Sequence, residues 1–151
     1  MKALTKSIVC LAILGFTFSS AHGQFAEPGD AVKYRKAVMF MIGQHFKPMG
    51  AMVKGEVPYD QTVFTQNADV LKMLATLPWL AALEPGTDKG DTTLNSAVFE
   101  KQDEFMKIAQ AFEQETATLA QLAPEGLEGS KNQFGTVAAS CKSCHDQFRT
   151  K

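Results

Sequence analysis

The sequence predicts an all-α protein folded as an antiparallel, up-down-up-down four-helix bundle. Three observations lead there. Apolar residues recur at helical spacing in four long segments, so that each segment has one apolar face. Proline and glycine punctuate the chain between those segments. The alternating β-branched runs that mark a half-buried strand are missing. Four helices with short connections pack most simply as antiparallel neighbours.

Composition narrows the class further. Of 151 residues, 45% are hydrophobic and 21% charged, which excludes a disordered chain, a collagen-like chain and a polytopic membrane protein. A net charge of −1 leaves no basic excess to neutralise phosphates, so no nucleic-acid partner is expected.

Residues 1–23 read as a secretory signal. Lys2 and Lys6 precede an apolar run from Ile8 to Phe18, and Ala21-His22-Gly23 supplies a small-x-small cleavage site. The run is shorter than the roughly 20 residues of a spanning helix, so no stable membrane insertion is expected after cleavage. Cleavage removes two of the 15 basic residues and none of the 16 acidic ones, so the mature chain, 24–151, is net acidic. It also removes Cys10, leaving Cys141 and Cys144. The expected destination is a bacterial periplasm.

The first helix is expected from Asp30, a good cap after Pro28-Gly29, to about Lys54. Arg35, Met39, Ile42 and Phe46 share one face of it. Pro48 lacks an N–H and crowds the turn before it, so a kink or an end to the regular part is expected there. The second helix should run from Asp60 to about Thr76, with Val63, Val70, Leu71 and Leu74 as its stripe and Pro78 as its stop. Residues 84–91 are rich in turn formers and read as the longest loop. The third helix should run from about Asn95 to Leu122, carrying Val98, Phe99, Phe105, Ile108, Phe112 and Leu119. Pro124 and Gly126 break it, and the fourth runs from about Gly129 to the C-terminus.

The fourth helix carries the chemistry. Cys141-Lys142-Ser143-Cys144-His145 is C-x-x-C-H, the attachment signature of haem c. Two thiols one helical turn apart can both reach the two vinyl groups of one porphyrin, and the histidine after them lies under the iron. A redox dithiol usually opens a helix beside a strand pattern, and none is present. A structural zinc needs four ligands, yet the mature chain offers only His45 besides the motif. A disulfide staple favours a longer loop. One covalent haem c is therefore expected, held by Cys141 and Cys144 and ligated by His145, in a bundle that encloses it.

With these residues the chain resembles the cytochromes c′, the class II c-type cytochromes. The resemblance rests on Gln24 to Pro28, Asp30-Ala-Val-Lys-Tyr-Arg35, His45-Phe46, Val53 to Asp60, Leu77-Pro-Trp79, Pro85-Gly-Thr87 and Ala139 to Arg149. It covers nearly all of the mature chain. It implies that Arg35 meets a haem propionate, a charge-assisted contact. Lys36 stands where the family often has glutamine, and Asp91 where some members contact the haem. Arg149 corresponds to an arginine near the proximal histidine. Trp79 and Phe148 would line the pocket. Met41, Met49, Met52 and Met73 read as soft core or interface filler. His45 lies off the face of Met39 and is not expected to ligate.

Met39 corresponds to the distal pocket residue of the family's first helix, and two roles are open for it. As an apolar gate over five-coordinate iron it implies a protein that binds nitric oxide and carbon monoxide and undergoes one-electron redox. The rest of the chain stands nearer that form. As a sixth ligand, like the methionine of low-spin class II cytochromes, it implies an electron carrier with a redox partner. No enzymatic reaction is expected, because no second histidine or acid stands ready to cleave an O–O bond. The family commonly pairs through its first two helices. Met41, Met49, Met52 and Phe64 supply apolar surface there for a homodimer.

Overall fold

The computed structural model describes residues 24–150; residues 1–23, read above as a secretory signal, lie outside them. The described residues hold six α-helices, α1 Pro28–Val53, α2 Gln61–Leu74, α3 Pro78–Leu83, α4 Ala97–Glu100, α5 Gln102–Leu122 and α6 Leu127–Phe148, with a short 3-10 turn, Ala123–Glu125, before the last. No strand occurs among the described residues, which contain only an isolated bridge between Leu94 and Arg149. The long helices α1, α2, α5 and α6 form the antiparallel bundle.

Side-chain pairs fix the directions. His45 of α1 shares a 2.9 Å hydrogen bond with Asn67 of α2. Gln133 of α6 donates to Glu115 of α5. Gln61, at the start of α2, donates to the Pro124 carbonyl between α5 and α6. The ring of Phe46 stacks on Phe134 with centroids 4.3 Å apart. The C-terminal half of α1, the start of α2, the end of α5 and the start of α6 therefore meet at one end of the bundle. The opposite ends gather at the other.

Several boundaries differ from the sequence reading. Pro28 begins α1, because its fixed φ and missing N–H suit a first helical position. Asp30 then sits in the first turn rather than at the cap, where its charge still favours the helix N-terminus. Pro48 lies inside α1 and does not end it; Met49, Gly50 and Met52 beyond it are buried, and that packing outweighs the lost hydrogen bond. Asp60 does cap α2, accepting the Val63 N–H at 3.0 Å. Pro78 starts α3 instead of only stopping α2. The predicted third helix is two, parted at Lys101, whose φ of −128° and ψ of 47° leave the helical region. Gly126 adopts φ 98° ahead of α6, a left-handed conformation that favours glycine.

The core joins Phe64, Leu71 and Leu74 of α2 to Val38, Met49 and Met52 of α1, with Phe105, Phe112, Leu119, Phe134 and Val137 from α5 and α6. Gly50 permits the close approach of α1 and α6, since a Cβ there would stand 3.3 Å from the Phe134 ring. The burial of Met49, Met52 and Phe64 corrects their assignment to a partner surface: their helix faces point inward. Of that group Met41 is exposed, at 39%. The exposed apolar residues nearby are instead Val63 and Met73 of α2 and Leu77 just past it. No described helix is long and apolar enough to cross a membrane.

Phe64 is fully buried and sits between Tyr59 and Phe134, with centroids 5.6 and 6.4 Å away. Phe64→Ala should cost about 3–5 kcal/mol through lost transfer energy and a new cavity. Urea unfolding followed by circular dichroism reads the cost, with the slope unchanged.

Candidate functional site: a cavity at the open end of the bundle

At the end away from the Phe46–Phe134 stack, α1, α3, α5, α6 and the loop after α3 enclose a cavity of about 550 Å³, within the range of small-molecule and cofactor sites. It is lined by all ten residues singled out in the sequence: Arg35, Lys36, Met39, Trp79, Asp91, Cys141, Cys144, His145, Phe148 and Arg149. They come from α1, α3, the loop after α3 and α6, so the fold converges four separate chain segments on one space.

Arg35 is the most constrained of them. Met39 and Ile42 lie one and two turns further along α1 and also line the cavity. Arg35 is only 7% exposed, and its guanidinium pairs with no carboxylate among the described residues. It donates through Nη1 to the Ala81 carbonyl at 3.1 Å, and through Nη2 to the Thr87 carbonyl at 3.1 Å and Thr92 Oγ1 at 2.7 Å. Burial pulls its pKa below the ordinary arginine value, yet it keeps its proton. Of its five N–H groups two remain for another acceptor. Its neighbour Lys36 contacts the Asp91 carboxylate at 2.5 Å at the rim.

The α6 side supplies the thiols. Cys141 and Cys144 are free, half-buried and about one turn apart. Burial raises both thiol pKa values, and Cys144 is pushed up to about 11 by burial and then by its neighbour Cys141. Neither is a thiolate at neutral pH, which disfavours a redox dithiol. No group of three or more metal-ligating side chains occurs among the described residues. His145 has its pKa lowered, first by desolvation and then by Arg149, against a weaker opposing effect of Asp146. Its imidazole is neutral at pH 7 and carries a free lone pair.

The wall is aromatic. Trp79 packs edge-on against Phe105 and Phe112, each with centroids 5.9 Å away, and Phe105 packs edge-on against Phe148 at 5.2 Å. Trp79 is 6% exposed, and its Nε1–H has no acceptor in the structure. A planar apolar group bearing carboxylates fits these walls: it would face aromatic and aliphatic surface and offer oxygens to Arg35.

Sequence reasoning missed part of this lining. Val38, next to Met39 in sequence, is buried in the core, while Phe40 reaches the cavity edge. Phe105, Ile108 and Phe112 appeared only as an apolar stripe of α5, and nothing local marks which of them border a cavity. Thr92, Thr93 and Leu94 carried no signal at all.

Comparison with known proteins follows the same lines. The family model described as Cytochrome C' matches residues 30–149. The chain belongs to the cytochrome c′ family. It is 42% identical over 129 residues to cytochrome c′ of Alcaligenes xylosoxydans xylosoxydans, covering 85% of this chain and 99% of that one. It is 39% identical over 133 residues to cytochrome c′ of Halomonas halodenitrificans, covering 83% and 100%. Among solved structures, cytochrome c prime from Shewanella frigidimarina superposes with a TM-score of 0.81 at 35% identity, over 84% of this chain and 99% of that one. A nitric oxide complex of a point mutant of cytochrome c prime from Alcaligenes xylosoxidans superposes with a TM-score of 0.77 at 40% identity, over 85% and 99%. The bundle is thus that of other cytochromes c′.

The raised thiol pKa values predict low reactivity before any cofactor is attached. With a pKa of about 11, the Cys144 thiolate fraction at pH 7 is about one in 10⁴. Alkylation of the haem-free chain by iodoacetamide should be slow at pH 7 and rise about tenfold per pH unit toward pH 10. Mass spectrometry over time checks this.

Proposed function

We propose that the mature chain, 24–151, is a periplasmic mono-haem c-type cytochrome that binds nitric oxide and carbon monoxide and can undergo one-electron redox. The observation that carries this reading is the convergence of both motif thiols, a neutral His145 and an uncompensated buried Arg35 on one aromatic-walled cavity. Residues 1–23 are read as the signal that exports it. A bound haem c supplies an iron centre that changes charge by one electron and takes diatomic ligands. Cys141 and Cys144 hold the group through thioethers, and His145 offers its lone pair to the metal. Arg35 receives a propionate through its two uncommitted N–H groups. Trp79 and Phe148 exclude water, and Lys36 and Asp91 tie the rim above them.

The distal side is assigned to Met39, Phe40 and Ile42. None of these side chains donates a hydrogen bond. Of the cations lining the cavity on α1, Lys36 is paired with Asp91, and Arg35 donates to Ala81, Thr87 and Thr92 and turns its two remaining N–H groups to the propionate in this reading. Bound dioxygen gains from a donor, whereas nitric oxide and carbon monoxide need one less. No catalytic residue is assigned. Asp91, an acid on the cavity wall, is already paired with Lys36.

The ferric absorption spectrum of the exported protein tests the reading. We expect a high-spin spectrum in both wild type and Met39→Ala, with carbon monoxide binding to the ferrous mutant about tenfold faster because a crowded side chain no longer has to move. A low-spin wild type that turns high-spin in Met39→Ala overturns the open-iron reading. It leaves the alternative, an electron carrier with Met39 as sixth ligand.

A homodimer through the α1–α2 side completes the reading. Met73 is 63% exposed there, and Val63, Leu77 and Met41 are exposed as well, apolar area that a second copy would cover. Sedimentation at micromolar protein should give twice the monomer mass. Met73→Glu should shift it to the monomer, since a charge would be buried at the contact.

A further inference from the structure

Residues 91–95 form a strap of which the roles assigned above use only Asp91 and Thr92. One end is tied to α1: Lys36 donates to the Asp91 carbonyl at 3.2 Å and contacts its carboxylate, and Arg35 donates to Thr92 Oγ1. The other end is tied to the end of α6. Thr150 N–H donates to the Thr93 carbonyl at 2.8 Å, Asn95 N–H to the Phe148 carbonyl at 3.0 Å, and Asn95 Nδ2 to the Gln147 carbonyl at 3.0 Å. These bonds hold the strap in register with Arg149, its bridge partner through Leu94. The Thr93 hydroxyl, which borders the cavity, then accepts a hydrogen bond from Arg149 Nε at 3.1 Å.

We propose that Thr93 is a positioning residue: its hydroxyl holds the Arg149 guanidinium beside His145, so that the cation acts on the haem iron from a fixed place. This rests on the haem reading above. Arg149 is exposed and follows the last residue of α6, and an arginine so placed would otherwise sample many rotamers. Backbone bonds at Thr150 and Asn95 hold the Thr93 acceptor still, so the hold on Arg149 is largely preorganised. A fixed positive charge near the iron favours the ferrous over the ferric state by simple electrostatics. The strap also joins the α1 residues that bind the propionate side to the residue beside His145.

Thr93→Val keeps the shape and every backbone bond but removes the acceptor; Thr93→Ser restores it. In the holo-protein, Thr93→Val should lower the reduction potential. The ferrous-to-ferric ratio at a fixed potential should fall about two- to fivefold, or ~20–40 mV at about 59 mV per decade. Thr93→Ser should match wild type, and in an Arg149→Gln background Thr93→Val should change nothing. In ¹⁵N-labelled protein the Arg149 Nε–H should exchange about three- to tenfold faster in Thr93→Val than in wild type, as expected for loss of one hydrogen bond. Unchanged exchange, or a potential shift that persists without Arg149, overturns the positioning role. Absence of covalent haem from the exported wild type overturns the proposed function, while the exchange measurement still decides whether Thr93 holds Arg149.

Discussion

A buried guanidinium without a carboxylate is the constraint on which the open end of this bundle depends. Desolvating an arginine costs several kcal/mol unless its N–H groups find oxygens. Arg35 finds three, from α3, from the loop after it and from the strap. Those contacts explain why the turn-rich segment folds back against α1 instead of standing in solvent. They also leave the charge itself unneutralised and facing a cavity. A fold that keeps a cation in that condition is prepared for an anionic group, and the two carboxylates of a haem are such groups.

The two ends of the bundle solve different packing problems with the same residue types. At the end holding Phe46, Phe64 and Phe134, aromatic rings stack or tilt against each other and fill the space. At the other end Trp79, Phe105, Phe112 and Phe148 meet edge-on. Rings in that arrangement brace one another and form a wall rather than a plug. The wall resists collapse, and the cavity it borders keeps a volume that small aliphatic side chains could not hold open. The unpaired Trp79 N–H belongs to the same arrangement: a buried donor without an acceptor is tolerated where a bound group can supply one.

The α6 end combines rigidity with access. The helix buries Phe134, Val137 and Phe148, which anchor it along its length, while Cys141, Cys144 and His145 lie on its cavity side. The thiols sit near the helix end, are only half-buried and face the cavity.

The sequence by itself determined the helical class, the antiparallel order and the haem-attachment motif. These are local or periodic properties: the 3.6-residue repeat, Pro and Gly breaks, and two thiols one turn apart need no distant partner to be read. Arg35, Lys36, Met39, Trp79, Asp91, Phe148 and Arg149 were legible through the resemblance to the cytochromes c′. Only the tertiary structure decided which apolar faces meet each other and which face a cavity or solvent. Met49, Met52 and Phe64 look the same in sequence whether they serve a core or a partner surface, and burial alone separates them. Phe105 and Phe112 became cavity wall because α5 presents them opposite α6. The strap of residues 91–95 has no periodicity to betray it; its role arises from hydrogen bonds to residues more than fifty positions away in both directions, contacts that exist only once α1 and α6 are brought together.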